Sequence, residues 1–190
     1  MKNQKPTLLL HACCAPCFSA VFDQVKDDFA ATIFWFNPNV WPKEEYDRRL
    51  IELIRYAKIV NCPIIISDRY EQDAIFWQNL TKNNASDAEN GPRCRKCINY
   101  RLLQTAQEAL KKNFDLFGTT LTVSPHKDSA LINSIGTEIM KKYDIPYLDK
   151  DFGQNDGYRK SIEICKAYKI YRQKYCGCQY SLHQKNHDYS

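Results

Sequence analysis

A chain of 190 residues, 44% hydrophobic and 26% charged, is long enough to bury one hydrophobic core without disulfide staples, so a single domain over 1–190 is expected. No apolar run approaches the roughly 20 residues of a membrane span, and His11 interrupts the short run Leu8-Leu9-Leu10 too early for a secretory leader, so a cytoplasmic protein with no membrane partner is expected. The net charge of +5 permits a polyanionic partner without demanding one, while nine cysteines in a reducing compartment point away from disulfides toward metal or redox chemistry.

In chain order, residues 7–12 read as a buried strand, and 16–26 follow with Phe18, Val21, Phe22 and Val25 at helical spacing. A second strand, 31–36, ends in the turn Asn37-Pro38-Asn39 and feeds a helix over 42–60 carrying Tyr46, Leu50, Leu53, Ile54 and Ala57. A third strand covers 62–67, a short helix 71–80, and a polar loop 81–92. Beyond it a helix is expected over 95–111, a strand over 114–123, a helix over 129–143, a short strand at 146–148, and one basic helix from 156 to 180. This alternation predicts an α/β protein, a parallel sheet covered by helices on both faces. Ligands in such sheets bind beyond the carboxyl ends of the strands, an edge that carries Cys13, Cys14, Asn37 and Ser124.

The cysteines are not scattered. His11-Ala12-Cys13-Cys14-Ala15-Pro16-Cys17 sits where the first strand gives way to a helix, whose free amides stabilise thiolates, the metal-binding form. Gly91-Pro92-Arg93-Cys94-Arg95-Lys96-Cys97 has the two-residue spacing that lets both sulfurs face one metal, again at a helix start. Cys62 and Cys165 lie within apolar patterns and read as packing. Four thiolates suit structural zinc or an iron–sulfur cluster, and spacing alone leaves both open; adjacent Cys13-Cys14 and the surplus of thiols favour iron and sulfur. Cys176-Gly177-Cys178 can close a strained, readily exchanged disulfide or supply two more ligands.

Between 158 and 175, cations alternate with aromatics in a pattern that suits phosphates and unpaired bases as well as a plain solvated helix. Tyr46, Asp47, Arg48 and Arg49 read equally as a polar pocket or a helix surface, and His11 as a hydrogen-bonded neighbour of the cysteines rather than a ligand. There is no Walker loop and no glycine-rich dinucleotide fingerprint, which argues against bound nucleotide or flavin.

Taken in order, 8–17, Asn37-Pro38-Asn39, Arg93-Cys94-Arg95-Lys96-Cys97, 119–125 and 171–178 resemble the QueH-type epoxyqueuosine reductases over nearly the whole chain. The resemblance implies a HUP-like fold (adenine nucleotide alpha hydrolase-like) with cysteines where ATP-using relatives carry a phosphate loop. It implies reduction of the epoxide of epoxyqueuosine at the wobble position (34) of tRNA to queuosine, the last step of queuosine synthesis, independent of cobalamin. It further implies a [4Fe-4S] cluster on Cys13, Cys14, Cys94 and Cys97, a redox-active disulfide between Cys176 and Cys178, and Cys17 as ligand of an adjacent iron ion. The partners are the anticodon loop of that tRNA and an external electron donor. His126 follows Pro125 where the family carries an aromatic residue, a departure from the pattern. The rival readings are a zinc-stabilised RNA-binding module and an ATP-dependent tRNA-modifying enzyme of the same fold, the latter lacking its glycine-rich loop here.

Overall fold

The structure, a computed structural model, describes residues 4–154 and 156–182. Its centre is β1 (Thr7–His11), paired in parallel with β2 (Ala30–Trp35) on one side and β4 (Leu116–Thr119) on the other, while β3 (Ile64–Ile66) lies outside β2. The strand order is therefore β3-β2-β1-β4. Chain order reverses at β1, and the carboxyl ends of β1 and β4 flank the resulting crevice.

Period-two alternation along β1 divides its leucines between two cores. Leu8 and Leu10 pack with Phe18 and Val21 of α1 (Ala15–Val25) and Leu53 and Tyr56 of α2 (Lys43–Ile59). Leu9 packs on the opposite face with Leu102 of α4 (Pro92–Lys111), Phe117, and Ile132 and Ile135 of α5 (Ser129–Tyr143). Helices thus cover both faces, as a parallel sheet requires. Further helices are α3 (Tyr70–Thr81) and α6 (Gly157–Ala167), with 3₁₀ turns at Lys82–Asn84 and Leu121–Val123 and a helical stretch over 179–182. This is the expected α/β architecture, and it is consistent with a HUP-like fold. Among the described residues no helix is long and apolar enough to cross a membrane.

Three expectations are corrected. The strand expected over 114–123 stops at Thr119, because the Thr119 hydroxyl accepts from the Leu121 amide (3.2 Å) and turns the chain into a 3₁₀ helix. At 146–148 there is only a single bridge between Phe117 and Tyr147, since Pro146 offers a carbonyl to Phe117 (3.0 Å) but has no N–H for a ladder. The basic helix expected over 156–180 ends at Ala167: Lys169 takes a left-handed φ of 52°, and residues 168–178 cross the molecule as an irregular strap.

Polar anchors along α2 hold that strap. Arg55 Nη2 donates to the carbonyls of Tyr168 (3.1 Å) and Lys169 (3.2 Å), and Glu52 accepts the Tyr171 amide (2.9 Å). Arg48 lies over the Tyr171 ring at 3.5 Å. Arg49 pairs with Glu45 (2.7 Å) and donates to the carbonyls of Cys176 (3.0 Å) and Tyr175 (3.2 Å). Tyr46 is core, packed edge-on against Trp35, whereas Asp47 and Arg48 line a shallow surface cleft with Glu52 and Tyr171.

Candidate functional site

The helix start after β1 gathers three thiols. Cys14 is the N-cap of α1, its sulfur accepting from the Cys17 amide (3.5 Å), and Pro16 occupies the first turn, where no N–H is needed. The sulfurs of Cys13, Cys14 and Cys17 all lie within 4.8 Å of one another, with Cys13 and Cys14 at 3.6 Å. Hydrogen bonds from Cys14 and Cys17 hold the Cys13 thiol well below its usual pKa against the cost of burial, with Arg101 helping. Burial and the Cys13 charge push Cys14 up, and Cys17 rises through its bond to Cys13. Three sulfurs gathered at a helix start are the donor chemistry of a metal site.

A second set lines one narrow pocket: Cys94 and Cys97 from the first turns of α4, and Cys176 and Cys178 from the strap. Helix α4 starts at Pro92, earlier than periodicity predicts, because Gly91 serves as N-cap and the Asp87 carboxylate accepts the Arg93 amide (3.0 Å). Both cysteines therefore sit at the helix head. Burial raises the Cys94 thiol and pushes Cys97 up to about 11, with Arg101 opposing the latter shift.

All nine cysteines are free thiols, so the expected bond between Cys176 and Cys178 is not formed. Lys127 Nζ donates to Cys176 Sγ (3.0 Å) and pairs with Glu89 (2.7 Å), while Cys178 Sγ donates to Ser181 Oγ (3.4 Å). Burial works to lower the Lys127 pKa, but its contacts with Cys176 and Glu89 outweigh it and the net shift is upward. Cys62 and Cys165 belong to neither set; Cys62 donates to the Ala31 carbonyl (3.3 Å), and burial pushes its thiol up to about 12.

Two side chains tie the sets together. From the strap, Gln173 Nε2 donates to Cys14 Sγ (3.0 Å). From α4, Arg101 lines the second pocket, and its Nε donates to His11 Nε2 (3.3 Å) beneath the first set. His11 is fully buried, with burial and Arg101 lowering its pKa to about 3; its Nδ1 lies 3.0 Å from Thr119 Oγ1 and its Nε2 3.3 Å from the Phe36 carbonyl. The last residue of β1, it has Thr119, Phe36 and Arg101 as its neighbours. Asn37 Nδ2 donates to the Ala12 carbonyl (2.9 Å), fixing the turn after β1, and half-buried Ser124 ends the 3₁₀ turn after β4.

Spacing did not identify Arg93, Arg101, Lys127 or Gln173. For Arg101 there was a signal: Cys94, Cys97 and Arg101 follow i, i+3, i+7 on one helix face. Around the thiols, Asn39 Oδ1, Arg93 Nε and Gln173 Oε1 are buried polar atoms without a partner among the described residues. The Cys13-Cys14-Cys17 set, with the unsatisfied Gln173 Oε1 on the side chain that donates to Cys14, fits a thiolate-held metal. On the surface, Arg172 turns inward to Ser161 (3.2 Å) and Cys165 (3.6 Å), whereas Lys160, Lys166, Lys169 and Lys174 stay exposed.

Comparison with known proteins points to one family. The family described as Epoxyqueuosine reductase QueH matches residues 8–184. A protein of that name from Streptococcus pyogenes serotype M1 is 38% identical over 192 residues, covering 98% of this chain and 74% of its own. Its namesake from Haemophilus influenzae is 38% identical over 181 residues, 94% of this chain and 73% of its own. The one from Thermotoga maritima is 34% identical over 176 residues, 93% and 90% respectively.

Proposed function

The chain belongs to the epoxyqueuosine reductase QueH family, and from that premise we propose that it reduces the epoxide of epoxyqueuosine at the wobble position of tRNA to the alkene of queuosine. It is an oxidoreductase of tRNA modification. The reaction consumes two electrons and two protons and releases the epoxide oxygen as water. An external electron donor supplies the electrons, cobalamin takes no part, and the protein works as one domain in the cytoplasm, where tRNA is modified.

The observation that carries this reading is the gathering of Cys13, Cys14 and Cys17 at the helix start after β1, with Cys94, Cys97, Cys176 and Cys178 lining one pocket and Arg101 reaching from that pocket to His11. Cys13, Cys14, Cys94 and Cys97 would hold a [4Fe-4S] cluster, and Cys17, beside Cys13 and Cys14, an adjacent iron ion. Bound there, the metal group supplies electrons and a Lewis-acidic site for the epoxide oxygen. The residues of the chain do the rest. Cys176 and Cys178, free thiols beside Cys94 and Cys97, relay electrons by closing to a disulfide, and Lys127 holds the Cys176 sulfur in place. The apolar walls of the pocket, Trp77, Ile98 and Leu121, keep water from the reacting groups. The exposed lysines of α6 and the strap meet the phosphates of the anticodon loop.

Nucleoside analysis of tRNA from cells lacking the protein tests the assignment. Epoxyqueuosine should accumulate at the expense of queuosine; queuosine persisting unchanged in a strain with no second reductase would overturn it. Isolation of the protein without oxygen should give iron and sulfide, whereas a colourless protein with stoichiometric zinc would favour the non-enzymatic RNA-binding module.

A further inference from the structure

Arg101 is a buried cation without an anion. It is 3% exposed, and both of its hydrogen bonds run to neutral acceptors, Asn37 Oδ1 (2.7 Å) and His11 Nε2 (3.3 Å). No carboxylate pairs with it among the described residues. Of the other buried arginines, Arg49 pairs with Glu45 at 2.7 Å, while Arg93 donates to the carbonyls of Asn84 (3.2 Å) and Ala85 (2.8 Å) and lies over the Tyr180 ring (4.8 Å). An isolated guanidinium is costly to bury unless a compensating charge lies near it. What lies near is sulfur, since Arg101 lines the pocket with Cys94, Cys97, Cys176 and Cys178 and reaches His11 under the Cys13-Cys14-Cys17 set.

We propose that Arg101 is the fixed counter-charge of the thiolate-held cluster and raises its affinity for the incoming electron. The inference rests on the cluster reading given above. Four thiolates around a [4Fe-4S] core carry net negative charge, and one-electron reduction by the external donor adds one more unit without making or breaking a bond. A cation fixed in a site of low dielectric favours the more negative state. Asn37 and His11 are the positioning residues: Asn37 Oδ1 accepts from Nη2, and His11 Nε2 lies 3.3 Å from Nε.

The test is the midpoint potential of the loaded protein, read by an anaerobic mediated titration followed by paramagnetic resonance, together with iron and sulfide content. Arg101→Met removes the charge, Arg101→Lys retains it, and Asn37→Asp neutralises it while giving up the Asn37 Nδ2 bond to the Ala12 carbonyl, a loss that Asn37→Leu shares without adding charge and so serves to subtract. Arg101→Met and Asn37→Asp should each make the cluster at least tenfold harder to reduce, about 59 mV more negative for a one-electron couple. Arg101→Lys should stay near the wild-type potential. Where Arg101→Met fails to load, Asn37→Asp carries the measurement, and loading rescued by Arg101→Lys counts for the charge. Wild-type potentials in Arg101→Met and Asn37→Asp overturn the inference, as does an equal shift or equal loss of iron in Arg101→Met, Arg101→Lys and Asn37→Asp, the mark of a purely structural residue. A wild-type protein that binds neither iron nor sulfide overturns the cluster reading itself, a result distinct from either.

Discussion

Gly177 has no room for a side chain. Its φ is +125°, and a Cβ there would stand 2.8 Å from Arg49 Nη1 and 3.2 Å from Val40 Cγ2, so the close approach of the strap to Arg49 depends on glycine. Gly177→Ala should cost about 1–3 kcal/mol. It should also displace Cys176 from Lys127, read as a lower urea midpoint and a changed alkylation rate at Cys176; wild-type values for both would contradict the strap geometry. Cys62 behaves oppositely. With its thiol raised to about 12 by burial, it should resist alkylation at neutral pH in the native protein and react only on unfolding, so early labelling at Cys62 would show that its bond to the Ala31 carbonyl is not maintained. At this scale the cysteines were legible because their spacing is itself chemical information. Arg101 and Lys127 were not, because what distinguishes them from surface cations is burial, and burial is set by distant parts of the chain.

The strap is the element that periodicity misjudged. Its alternating cations and aromatics suit a helix, yet Tyr171, Arg172 and Arg49 find tertiary partners that a continuous helix would forfeit, and the chain leaves the helix at Lys169. Tertiary contacts overrode local propensity. One anchor makes this testable by pH. The Glu52 carboxyl is lowered by its bonds to Arg55 and, against burial, to the Tyr171 amide. A carboxyl lowered in the folded state adds stability above its unfolded pKa of 4.5, and that stability is lost as pH falls through the folded value. Hydrogen exchange at the Tyr171 amide should accelerate, relative to its intrinsic rate, as pH drops below about 4.5, and Glu52→Gln should remove that pH dependence. Protection of Tyr171 with the same acid profile in both proteins would rule out Glu52 as the anchor. Helix α5, by contrast, was legible to the residue, since Asp128 caps it through the Leu131 amide (2.9 Å) and Ile132, Ile135 and Ile139 repeat at helical spacing.

Across the whole molecule, strand and helix alternation was enough to read the parallel sheet, but the strand order was not, because it depends on which strands β1 pairs with and not on any one segment. That pairing makes β1 the shared wall of both cores. Leu9→Ala and Leu10→Ala empty opposite faces and should each cost about 2–5 kcal/mol. Each variant should unfold in one transition by calorimetry and by circular dichroism; two separated transitions would mean the faces are independent units and the single-domain reading is wrong. The strap then brings distant residues together: Gln173 donates to Cys14, and Cys176 and Cys178 line a pocket with Cys94 and Cys97 at the head of α4. The most direct test of that site's function is a single-turnover reaction: protein isolated without oxygen, loaded with iron and sulfide and chemically reduced, is mixed with tRNA bearing epoxyqueuosine in the absence of cobalamin, and the nucleosides are analysed. The account predicts conversion of epoxyqueuosine to queuosine. Epoxyqueuosine left unchanged by fully loaded, reduced protein would contradict it.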